Sequence, residues 1–165
     1  MPGLTFRPAA RTQNRLKMAL DGPAGSGKTF TALRLGHSLG DEVFVIDTQY
    51  GAAALYAGEN IDGKVWNFKH LTLSQHDVDH YQNAISAAEK QGADVIVIDS
   101  LSNAWDDCGG ILDQVERKSE KNFGRAAEGN VLGMVERAAL YKKHVRVILA
   151  SPCHVIATLR TRPTT

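Results

Sequence analysis

The stretch "GPAGSGKT" (22–29) sets Gly22, Gly27, Lys28 and Thr29 at the spacing G-x-x-x-x-G-K-[ST]. Each residue type has a physical reason. Glycines let successive backbone N–H groups turn inward around a phosphate, where side chains would obstruct the approach. Lys28 is expected to reach the β- and γ-phosphates as a point charge, and Thr29 to place its hydroxyl on Mg²⁺. A helix opening at Lys28 adds the positive end of its dipole. The expected nucleotide-contacting set is therefore Gly22, Pro23, Ala24, Gly25, Ser26, Gly27, Lys28, Thr29 and Phe30. A glycine-rich turn can fit such a pattern by chance, but here an apolar strand precedes it and a helical pattern follows.

Two further segments end in groups suited to the same chemistry. "DVIVID" (94–99) is an apolar run closed by Asp99, the pattern of a strand that brings a carboxylate near Mg²⁺, partly through water. Many buried strands end in Asp, so the phosphate loop upstream is what gives Asp99 its metal-supporting reading beside Thr29. "EVFVIDTQYG" (42–51) reaches its turn with Gln49 at the tip. An amide orients a water but takes no proton from it. Asp47 is either a substitute base or a structural turn residue.

These residues need a scaffold, and the pattern supplies one. Residues 1–14 lack periodicity and read as a flexible arm, followed by one domain over 15–165. "RLKMAL" (15–20), "VFVID" (43–47), "DVIVID" (94–99) and "HVIATL" (154–159) read as strands, and "KVWNF" (64–68) as a shorter one. Helices are expected over Lys28–Leu39, closed by Gly40, and over 74–92, 109–121 and Val131–Ala150, with a polar break at 122–130. "VRVIL" inside the last of these looks β-like, yet Leu140, His144, Val147 and Ile148 fall at i, i+4, i+7 and i+8. Strands alternating with helices predict a mainly parallel α/β sheet with helices on both faces, and binding at the C-terminal ends of its strands.

Composition narrows the class without naming it. The chain of 165 residues is 43% hydrophobic and 22% charged with net charge +1, which gives no global pull to nucleic acid or membrane. Two distant cysteines fit neither a disulfide framework nor a metal site, and no apolar run reaches membrane length, so a cytoplasmic protein is expected.

"GPAGSGKTFTALRLG", "VFVIDTQYGAAALYAG", "DVIVIDSLSNAWDD" and "SPCHVIATLRTR", in this order, resemble the RecA-like P-loop ATPases encoded largely by phages and prophages. Some of these act in single-strand annealing or recombination. The resemblance runs from about Leu16 to Arg162. It implies a RecA-like core that binds ATP with Mg²⁺, acts on single-stranded DNA and assembles as a homo-oligomer. Two departures stand out. The family's pattern has Glu at the position of Gln49, which predicts slow hydrolysis here. Family members also continue into a mobile loop and at least one more strand beside the phosphate-loop strand, so "RLKMAL" is expected at a sheet edge.

The expected catalytic set is Lys28, Gln49, Asp99 and Arg160. Arg160 and Arg162 either meet phosphate charge, of nucleotide or DNA, or form a basic tail. His76 and His80 read as surface histidines, Cys153 and His154 as packing residues, and Trp105 as packing under the Asp99 loop, while Tyr50 could stack a base. The leading reading is a slow ATPase handling single-stranded DNA. A small-molecule kinase and a non-hydrolysing, nucleotide-gated assembly module are the alternatives.

Overall fold

The computed structural model describes residues 14–106, 110–112, 114–115 and 131–161. The expected arm over 1–13, the break at 122–130, Arg162 and most of the helix expected over 109–121 lie outside them.

Five strands form one parallel sheet: β1 (Lys17–Gly22), β2 (Val43–Asp47), β5 (Lys69–Thr72), β6 (Val95–Asp99) and β7 (His154–Arg160), in the order β1-β7-β6-β2-β5. A separate antiparallel hairpin joins β3 (Asn60–Ile61) to β4 (Lys64–Val65). The central strands are continuous apolar runs because both faces are covered. Val43, Val45, Val95, Val97 and Ile156 face α1 (Lys28–Leu39), whose Ala32 and Leu33 are fully buried. Phe44, Ile46, Ile96, Ile98, Val155 and Ala157 face the other way, onto α2 (Val78–Lys90) and α4 (Val131–Ala150); the short α3 (Asn103–Asp106) follows β6. Among the described residues no helix is long and apolar enough to cross a membrane.

The expected α1 and β2 match the observed spans, and among the described residues β1 is the first strand of the sheet. Other boundaries move for identifiable reasons. β1 starts later and runs to Gly22, because its parallel ladder with β7 continues to the Gly22–Arg160 pair. The helix expected from residue 74 starts at Val78, where Asp77 caps it by accepting the His80 N–H at 3.0 Å. "KVWNF" is not one strand. Lys64 and Val65 close the hairpin across Asp62 and Gly63, whose φ values of 54° and 80° suit a type I′ turn. Trp66 then turns inward and stacks on His37 of α1, ring centroids 5.4 Å apart. β5, which the pattern did not mark, pairs with β2 at the far edge. His76 is buried rather than on the surface, its Nε2 3.1 Å from the Leu73 carbonyl.

Gly40 ends α1 where the chain passes very close to Asp94. A Cβ there would lie 2.5 Å from the Asp94 Cβ, so only glycine allows that approach.

Helix α4 seats itself with the residues its spacing marked. His144 is buried, and Val147 and Ile148 pack on the α2 face of the sheet. The His144 ring meets Tyr81 edge-on at 5.0 Å, and among the described residues neither of its nitrogens has a hydrogen-bond partner. Burial lowers its pKa to about 4. With the unfolded value near 6.5, the unfolded chain takes up a proton first as pH falls. Stability is therefore fully present above about pH 6.5 and declines towards about pH 4, by about 3 kcal/mol from this group. His144→Phe is expected to remove that part of the acid dependence, read by urea denaturation across this range. Parallel decline in variant and wild type would show that His144 is not the source.

Candidate functional site

The C-terminal ends of β1, β7, β6 and β2 carry the residues singled out in the sequence. Between β1 and α1 the loop turns through Gly25 and Gly27, with φ of 77° and 79°, a region strained for any side chain. At Gly22 the constraint is different: a Cβ there would sit 2.9 Å from Ser26 Oγ and turn that hydroxyl off the Pro23 carbonyl. Ser26 closes the turn, its N–H and hydroxyl both donating to the Pro23 carbonyl at 3.3 and 2.8 Å. Lys28 Nζ donates to the same carbonyl at 2.6 Å, so the ammonium lies within the loop. Gly27 provides no side-chain cap to α1, and an uncapped helix N-terminus of this kind suits an anion. The Phe30 ring is turned away into Tyr56 and Trp66, at 5.9 and 5.3 Å, so only its backbone faces the loop region.

Asp99 is fully buried at the end of β6. Thr29 Oγ1 donates to its Oδ2 at 2.6 Å, bringing together the two residues expected to support Mg²⁺. Its Oδ1 accepts from the Thr158 hydroxyl of β7 and, at 3.5 Å, from Gln49 Nε2. Thr158 was not anticipated: a single hydroxyl in an apolar strand carries no motif.

Gln49 lies between Asp99 and Arg160. Its Oε1 accepts from Arg160 Nη2 at 3.5 Å, while the Arg160 backbone N–H donates to Ser102 Oγ at 2.8 Å. Lys28, Thr29, Asp99, Gln49 and Arg160 thus gather along one rim of the sheet. The turn carrying Gln49 is laced to the one after β6. Thr48 N–H donates to the Asp99 carbonyl at 2.7 Å, Thr48 Oγ1 to the Ser100 carbonyl at 2.9 Å, and Ser100 N–H to Thr48 Oγ1 at 2.9 Å. Asp47 behaves as a turn residue. Its Oδ1 accepts the Gln49 N–H at 2.5 Å, and its Oδ2 the Ala53 N–H at 3.2 Å with His70 Nε2 at 3.1 Å.

Around the site, Tyr50 is 88% exposed. Trp105, expected as a packing residue, is 40% exposed and meets Tyr141 edge-on at 5.8 Å. The two rings line a cavity of about 610 Å³ that also touches Arg160. Cys153 is buried, its Sγ donating to the Ala93 carbonyl at 3.0 Å, which fits a packing role.

The donor set suits a nucleotide with Mg²⁺. Among the described residues no group of three or more His, Cys, Asp or Glu side chains could hold a metal. One hydroxyl and one carboxylate are what Mg²⁺ takes from protein when phosphate oxygens and waters complete its octahedron.

A phosphate loop on a parallel sheet, with the strand ending in Asp99 two places away across β7, defines an α/β P-loop core. The sequence model of a family described as an AAA domain matches residues 14–165, and the chain belongs to that family. No curated protein matches it. Of the solved structures that match, one described as the crystal structure of the RadB recombinase is 21% identical with a TM-score of 0.46. The match covers 88% of this chain and 61% of that one, so the chain spans less than two thirds of that structure's length.

Proposed function

We propose that this domain binds ATP with Mg²⁺, hydrolyses it slowly, and couples that cycle to single-stranded DNA in annealing or recombination of the phage type, as a homo-oligomer. The observation that carries the reading is the Thr29–Asp99 hydrogen bond beside the glycine loop, with Gln49 within reach of Asp99. Lys28 and the loop amides hold the phosphates, and Thr29 and Asp99 hold the metal. Mg²⁺, when bound, neutralises charge on the β- and γ-oxygens. Gln49 orients the attacking water through its amide, and Arg160 lies where it can meet charge developing on the transferred phosphoryl group.

Three features support this reading over its alternatives. A kinase needs a carboxylate to activate an acceptor hydroxyl, and both oxygens of Asp47 are already engaged. The exposed Trp105–Tyr141 pair offers faces for base stacking, and Arg160 beside it offers a phosphate contact. Arg160 also touches Gln49, which gives DNA a route to the water-positioning group.

Phosphate release from Mg-ATP, measured with and without single-stranded DNA and against a panel of hydroxyl-bearing metabolites, tests the proposal. Slow release that DNA accelerates several-fold is the expected result. Transfer to a metabolite instead of water would establish the kinase, and ATP that stays bound and intact for hours the non-hydrolysing module.

A further inference from the structure

We infer that His70 is a positioning residue for the reaction at the phosphate loop, acting through Asp47 on Gln49. The inference rests on the hydrolysis reading above and concerns how the water-positioning amide is held. The side chain of Gln49 is poorly fixed by its own contacts. Both its amide hydrogen bonds, to Asp99 and from Arg160, are 3.5 Å long, at the weak limit of such bonds. Its place therefore depends on its backbone, whose N–H is held by Asp47 while Thr48, the preceding residue, is tied to the turn after β6.

That carboxylate is fully buried and binds the two ends of the 49–53 turn with different oxygens: Gln49 N–H on Oδ1 at 2.5 Å, Ala53 N–H on Oδ2 at 3.2 Å. The second of these is the longer. His70 Nε2 reaches the same Oδ2 at 3.1 Å, a third donor that reinforces the rotation of the carboxylate set by the two backbone N–H groups. A carboxylate only accepts, so the ring carries its proton on Nε2 in this contact. His70 stands on the edge strand β5, in register with Val45, and its side chain is 23% exposed. Shortening it leaves no cavity in the core, whereas a buried carboxylate that loses one of three donors is held less firmly by the two backbone N–H groups that remain.

The test compares wild type, His70→Ala and His70→Gln, the last because its amide nitrogen reaches about as far as Nε2. Three quantities are read: phosphate-release kcat, ATP Kd, and hydrogen exchange of the Gln49 and Ala53 amides without nucleotide. For His70→Ala, kcat is expected to fall about tenfold with Kd within about twofold, and exchange at both amides to accelerate; His70→Gln restores most of both. Unchanged kcat and exchange in His70→Ala would overturn the inference. So would a loss of ATP affinity matching the loss of kcat, which marks general damage to the loop. A wild type that binds ATP but releases no phosphate overturns the hydrolysis reading and the reactive role of His70 with it. The exchange measurement needs no nucleotide, and a flat result there removes the anchoring on its own.

Discussion

Lys28→Ala is expected to weaken Mg-ATP binding by roughly 30- to 150-fold while leaving the folded domain intact. The estimate follows from losing a charge-assisted contact to phosphate, about 2–3 kcal/mol. Nothing in the fold depends on this ammonium: its partners are the Pro23 carbonyl at 2.6 Å and Ser26 Oγ at 3.4 Å, both within the exposed loop. The variant should therefore unfold at the wild-type temperature without nucleotide. Wild type should gain thermal stability on adding excess Mg-ATP, because a ligand that binds only the folded state stabilises it by mass action. Lys28→Ala should gain almost none at the same concentration. Equal affinity in the two proteins, measured by calorimetric titration, would remove Lys28 from the phosphate contact and with it the chemical reading of the loop.

The phosphate loop was legible because its chemistry restricts residue type at four positions of fixed spacing. Gly25 and Gly27 are where the backbone enters a left-handed region, and Lys28 and Thr29 carry groups no neighbour could replace. The buried strands were legible for a similar reason: β2 and β6 are covered on both faces, so each position is apolar until the terminal Asp. Even α4 could be read through its β-like "VRVIL", since the side chains at helical spacing, His144, Val147 and Ile148, are the ones that pack inward.

What escaped was set by partners distant in the chain. β5 is an edge strand with every residue exposed, so "KHLT" shows no alternation of apolar and polar residues. Only pairing with β2 makes it a strand, and only that pairing brings His70 to Asp47. Thr158 acquires its role from Asp99, a neighbour on the next strand and far away in sequence. The hairpin is a different case. Asp62-Gly63 is a strong short-range turn signal, and reading it would have divided "KVWNF" correctly.

Gln49→Glu should raise the rate of phosphate release by about 10- to 100-fold, below the roughly 100- to 10,000-fold usual for a general base because the amide already orients the water. The position lies between Asp99 and Arg160. Its amide nitrogen is 3.5 Å from Asp99 Oδ1 and its amide oxygen 3.5 Å from Arg160 Nη2. What it lacks is a group that can take the water's proton. The same geometry limits the gain, because the introduced carboxylate would stand beside a buried one. Like charges this close push the pKa of one of them up, unless a cation intervenes. Two signatures should accompany the faster rate. The gain should be larger at alkaline than at acid pH, since a protonated carboxyl accepts nothing. Arg160→Ala in the Gln49→Glu background should remove much of it, since that guanidinium is a counter-charge 3.5 Å from the side chain at this position. A wild type that already turns over rapidly, with a rate Gln49→Glu leaves unchanged, would mean that another group prepares the water, and the role assigned to this turn would fall.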